Sequence, residues 1–183
     1  MRWNNNIVAL AVALLATPVI AQTPAAPQQR IVPGFGAYSE VPNPSEKPDT
    51  TLRYKVVFDV SQAPRTPGMV HQGLERVARM VNLLGRHGVK PQPGDIVITM
   101  HGPAAKTTLT SAAFAKRYSG QANPDAELIK QLTAAGVSVR LCGQSMVALG
   151  FARDALNPDV QVDVAAITTM ATLQLRGYAI IQD

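Results

Sequence analysis

Apolar and polar positions alternate along the chain in two periods, and the switches between them mark the elements. Tyr54–Val60 is rich in β-branched and aromatic residues and predicts a first strand. Pro64 and Pro67 follow as a loop. Val70, Leu74, Val77, Val81 and Leu84 then recur at helical spacing and predict one long amphipathic helix, stopped by Gly85 and Gly88. Asp95–Met100 is a near-continuous apolar run, the mark of a strand covered on both faces. Thr107–Tyr118 predicts a short helix, and Asn123-Pro124 opens another whose buried face is Leu128, Ile129 and Leu132, ended by Gly136. Val137–Cys142 predicts a third strand, Gln144–Leu156 a helix weakened by Gly150, and Val160–Ile167 a fourth strand. Thr168–Arg176, capped by Thr168 or Thr169, predicts a last helix, and Tyr178–Ile181 a fifth strand.

Strands that alternate with helices need crossover connections. The expected fold class is therefore α/β, with a mainly parallel five-stranded sheet and helices on both faces. In such folds ligands and reactive groups sit beyond the carboxyl ends of the strands.

The N-terminus carries a different pattern. Arg2 precedes a 14-residue apolar stretch, Ile7–Ile20, too short to span a bilayer and suited to the core of an export signal. Val19 and Ala21 suit the −3 and −1 positions, so cleavage is expected after Ala21 and the expected location is periplasmic; the alternative is an uncleaved anchor. Residues 22–50 hold six prolines from Pro24 to Pro48 and read as a tail or arm, on which Ile31, Phe35 and Tyr38 are able to dock. The folded domain is expected over 51–183, with no further membrane span.

At 183 residues the chain has room for one domain with its own core. Losing residues 1–21 takes away Arg2 and leaves +4 of the formal +5. That charge is dispersed and lacks interleaved aromatics, so no nucleic-acid partner is expected. Composition matters most at one residue: Cys142 is the only cysteine. An exported chain meets an oxidising compartment where structural cysteines pair. A lone one is buried and inert, joined to another chain, or reactive.

Three strand ends carry polar groups: Asp59 and Ser61; His101-Gly102-Pro103; and Cys142-Gly143-Gln144-Ser145. A cysteine that ends a strand just before a helix feels the positive end of that helix, which favours the thiolate. Gly143 permits a tight turn there. Equally, such a cysteine is often a small apolar core residue. His101 offers an imidazole as base or thiolate stabiliser, or simply a partner for loop carbonyls. His71 and His87 are poorer candidates, and the three histidines lack metal-ligand spacing. Asp154, Asp159 and Asp163 read as solvated or capping residues. Phosphate-cradling glycine loops, a Gly-x-Ser-x-Gly elbow and Cys-x-x-Cys are absent from the sequence.

Taken in order, five segments resemble the DsrE/DsrF-like proteins of the sulfur-relay superfamily: Tyr54–Val60 with the long helix, Ile96–Pro103, Gly136–Cys142 with its helix, Val162–Ile167 and Leu173–Ile181. The resemblance spans residues 52–182. It implies a three-layer α/β/α domain and a homo-oligomer, trimer or hexamer. In relay members a cysteine takes up sulfane sulfur as a persulfide and passes it on. Cys142 matches the cysteine that many members carry after the third strand, and His101 falls in the loop beside it. The resemblance thus implies a sulfur-binding or carrier protein with Cys142 and His101 as reacting groups. Gly102, Gly143 and Gln144 would stabilise the thiolate, a sulfur donor or acceptor protein would be the partner, and neither metal nor organic cofactor is required. The alternative is a non-catalytic oligomeric binding module in which Cys142 is core. The departure from relay members is the export signal and Pro-rich arm.

Overall fold

The computed structural model describes residues 30–182, apart from 67 and 119; the expected signal segment 1–21 lies outside the described residues. Five strands form one parallel sheet in the order β4-β3-β2-β1-β5. They are β1 (Val56–Val60), β2 (Ile96–Met100), β3 (Ser138–Cys142), β4 (Val160–Asp163) and β5 (Ala179–Gln182). The helices are α1 (Gln72–Arg86), α2 (Ser111–Arg117), α3 (Ala126–Ala134), α4 (Gly143–Ala148) and α5 (Ala166–Leu175).

The sheet's two faces follow from the two-residue repeat of strands. Val56, Phe58, Val60, Ile96, Ile98, Met100, Val139 and Leu141 join Leu74, Val77 and Val81 of α1 and Leu128, Ile129 and Leu132 of α3 in the main core. The opposite face holds Val57 and Val97 under Leu173 of α5. The order of strands explains the division. β1 to β4 step in one direction and β5 returns to the far side of β1, so a right-handed crossover must carry α5 over the other face. The result is the expected three-layer α/β/α architecture.

Several boundaries differ from expectation. The segment expected as one helix over 144–156 stops at Ala148, because Gly150 adopts φ +62, and only a 3₁₀ turn, Arg153–Ala155, follows. The segment 107–118 divides into a 3₁₀ segment, Gly102–Thr108, and α2, whose first turn is capped by Thr110 accepting from Ala113 N at 3.2 Å. Asn123 does not cap α3. Its Oδ1 accepts from Asp125 N and its Nδ2 donates to the Thr107 and Leu109 carbonyls, which moves the cap position to Asp125. The expected fourth strand ends at Asp163, the partner of Cys142, and α5 begins at Ala166. Thr168 and Thr169 do not cap α5: the first donates back to Ala165 O, the second to Asp163 Oδ2.

The described part of the arm, 30–50, is held along α1. Val32 is fully buried, and the buried Asn82 accepts from Val32 N at 2.8 Å while donating to Val32, Phe35 and Gly36 carbonyls. Gly36 lies so close to α1 that a Cβ there would sit 2.3 Å from Ala78 backbone. Among the described residues no helix is long and apolar enough to cross a membrane.

Candidate functional site

Cys142 closes β3 and occupies the cap position of α4. Because β4 ends level with it, the 163–166 turn wraps over the sulfur and brings the first amide of α5 to it. The amides of Ser145, Ala166 and Gln144 and the Ser145 hydroxyl lie near enough to the thiol to favour its ionised form, although the Cys142 side chain makes no cap hydrogen bond to α4. Burial alone pushes the thiol up; these four donors outweigh it and hold Cys142 below the ordinary thiol value. The residue is buried, 6% exposed.

Gly143 serves the site for a reason other than the expected turn. Its φ is not positive, yet a Cβ there would meet Asp163 O at 2.6 Å and Val164 O at 3.2 Å. Only glycine allows the β4–α5 turn to close this tightly over Cys142. Gln144 supplies an amide to the sulfur, and its side chain donates to Val164 O at 3.3 Å, tying down the same turn.

The Ser145 hydroxyl has a second contact, accepting from Gly102 N at 3.0 Å. Gly102 takes φ +52 at the start of the 3₁₀ segment after β2. The Ser145 hydroxyl thus binds the Gly102 amide and lies near enough to the thiol to favour its ionised form. It joins the two loops singled out from the sequence.

His101 follows Met100, the last paired residue of β2, and Met100 pairs with Leu141, the residue before Cys142. The His101 Nε2 bonds Asp59 Oδ1 at 2.7 Å, with both side chains largely buried. Asp59 lies on one face of the sheet with Thr99, Arg140 and Asp163. Thr99 is buried, and its hydroxyl has no hydrogen-bond partner among the described residues. Asp163 is not merely solvated: it accepts from Thr169 at 2.8 Å and lies 3.5 Å from Arg140.

Of the remaining histidines, His71 is fully buried at the N-cap of α1. Nδ1 accepts from Gly73 N, and Nε2 bonds the Gln62 carbonyl. His87 sits at that helix's C-cap. Among the described residues no three His, Cys, Asp or Glu side chains group as metal ligands.

One contributor, Ala166, is hidden in the sequence, and so is the pairing of Asp59, itself a named strand-end residue, with His101. Ala166 donates only its backbone and lies within a run that looks like strand. Asp59 reaches His101 across 42 positions. The usable signal for the first was the rule that strand ends carry the site, applied to a fourth strand that ends at Asp163.

Residues 55–182 match the DsrE/DsrF-like family. No curated protein matches the chain. Two solved structures share the fold. One is MTH1491 of Methanobacterium thermoautotrophicum, a protein of unknown function, with 18% identity, a TM-score of 0.53, and 71% of this chain and 99% of that one covered. The other is the ychN protein of E. coli, with 18% identity, a TM-score of 0.52 and the same coverage. The family match spans well over half of the sequence and agrees with the order of strands: the chain belongs to the DsrE/DsrF-like family.

Proposed function

We propose that this chain is an exported sulfur-binding or sulfur-carrier protein in which Cys142 accepts sulfane sulfur as a persulfide. The observation that carries the reading is the place of Cys142, at the end of β3 and the start of α4 under the β4–α5 turn, where nearby amides and the Ser145 hydroxyl hold its thiol below the ordinary value. Donors so arranged favour an anionic sulfur over a neutral thiol. They would serve a thiolate and the outer sulfur of a persulfide alike.

The chemistry balances without a cofactor. The Cys142 thiolate attacks the outer sulfur of a donor persulfide or polysulfide. A new S–S bond forms at Cys142, the donor's S–S bond breaks, and its electron pair leaves with the donor as a thiolate. An acceptor thiolate reverses the exchange. His101, oriented by Asp59, would supply or take the proton that moves with the entering or leaving thiol. Exposed Val147, Val164 and Ile167, on the elements that hold the sulfur, offer an apolar surface to a partner protein or to further copies in a trimer or hexamer. Export rests on the Arg2 and Ile7–Ile20 pattern and places the reaction in the periplasm.

The low exposure of Cys142 favours a second reading, a binding module in which the cysteine is core. One experiment separates the two. The native protein is treated with polysulfide, and Cys142 is examined by mass spectrometry alongside its alkylation rate before and after denaturation. Gain of one sulfur atom on Cys142 supports the carrier. A thiol that alkylates in the native state yet never gains sulfur defeats it, and one that alkylates only after unfolding establishes the core reading.

A further inference from the structure

On the side of the sheet covered by α1 and α3, a cavity of ≈ 350 Å³ opens between the 3₁₀ segment, α2 and the start of α3. It shares no wall residue with the surroundings of Cys142. Phe114, Tyr118 and Pro124 give it an apolar wall. Two opposite charges line it as well: Lys106 and Asp125.

These charges do not touch. Asp125 is 1% exposed; its Oδ1 accepts from His71 N at 2.6 Å, while Oδ2 has no hydrogen-bond partner among the described residues. Lys106 makes no ion pair among the described residues and places Nζ over the Tyr118 ring, 5.7 Å from its centre. It still stabilises the Asp125 carboxylate from a distance. A buried carboxylate oxygen without a partner is costly. Lys106 and Asp125 line one cavity without pairing, which leaves room there for a ligand that answers both charges. The third charge on the wall, Arg117, is committed elsewhere, to the Leu149 and Gly150 carbonyls and the Phe151 ring.

The complement of this wall is a small molecule with an ammonium, a carboxylate and an apolar body. We propose that the cavity binds one free α-amino acid with an apolar side chain. The ammonium pairs with Asp125, the carboxylate with Lys106, and the side chain packs on Phe114 and Tyr118. The volume lies near the lower end for ligand sites, which suits a single amino acid. Oδ2 is shut off from water in this conformation, so the wall must give slightly as the ammonium arrives.

Protonation offers an independent check. Burial pushes the Asp125 carboxyl up to about 6, and an ammonium binds the ionised form, so affinity rises as pH passes through that range. The charged or titratable groups around it are Lys106, Glu75, His71 and Arg117.

Titration calorimetry of the full chain with leucine and phenylalanine tests the proposal. Isoamylamine and 4-methylpentanoate serve as probes lacking one charge each. Saturable binding of an amino acid is expected, with about tenfold or greater loss for either probe and for Asp125→Asn or Lys106→Met. The Cys142 alkylation rate is expected to stay unchanged in both variants. Asn keeps the acceptor for His71 N; should that variant fail to fold, Lys106→Met on the protein surface decides the matter alone. Absence of saturable heat with either amino acid overturns the proposal, as does equal binding of a singly charged probe or of the folded variants.

Discussion

The carboxyl of Asp125 sets a measurable pH dependence of stability. Burial raises it from 3.8 to about 6 in the folded chain, so between these values the folded protein holds a proton that the unfolded chain has released. The stabilising contribution is complete below 3.8 and disappears as pH rises through about 6. Each unit is worth about 1.4 kcal/mol, so the loss saturates at about 3 kcal/mol above that range. Against a total of about 5–15 kcal/mol for a domain, this is large enough to measure. Asp125→Asn removes the titration, keeps an acceptor for His71 N and retains a residue favoured at helix caps. Its added N–H lacks a partner, a constant cost that does not depend on pH. The quantity to read is therefore the variant's stability minus the parent's, from urea unfolding at steps between about pH 4 and pH 8. Carboxylates that do not interact with Asp125 cancel in that difference. It is expected to grow in the variant's favour by about 2 kcal/mol across the range, since part of the change already falls below pH 4. A flat difference would refute the reasoning and show that the carboxylate is solvated or paired in solution.

Other expectations concern the sulfur and the arm. Gly143→Ala drives a Cβ against Asp163 O and should cost about 1–3 kcal/mol in urea unfolding while slowing native alkylation of Cys142; an unchanged midpoint would remove the close-approach argument. Ser145→Ala deletes one of the four donors, so the pH at which Cys142 becomes half-reactive toward iodoacetamide should rise; an unmoved profile would deny the hydroxyl its role. Asn82→Ala strands the buried Val32 amide and frees three carbonyls, a loss of about 2–3 kcal/mol, with faster proteolysis between residues 30 and 45 as the local readout; resistance equal to the parent would mean the arm is held otherwise.

The architecture was legible because its causes are local and periodic. The stripe Leu74-Val77-Val81-Leu84 and the run Ile96–Met100 state their burial in their spacing, and both lie where that spacing puts them. Errors gathered where a backbone turn decides the outcome. Val160–Ile167 reads as one apolar strand, but the chain leaves the sheet at Asp163, and the amide so released faces the thiol. Nothing in the type of residue at Ala166 announces this, since any residue but proline has that amide. At Gly143 the sequence suggests conformational freedom, whereas the structure requires want of bulk. Asp59 with His101, and Asn82 with the arm, are pairings over long separations that one sequence does not encode visibly. The arm's anchor proved to be Val32, whose side chain is buried, whereas the bulkier Ile31 stays 40% exposed.

The bridge formed by Ser145 gives the molecule an internal reporter. Its oxygen holds the Gly102 amide on one side and faces the sulfur on the other. Any change in the electron density of that sulfur, whether by loss of a proton or gain of an atom, polarises the hydroxyl and is felt by a nucleus two links away. The nitrogen resonance of Gly102 thus registers the state of Cys142 from outside the pocket, with no label on the cysteine itself.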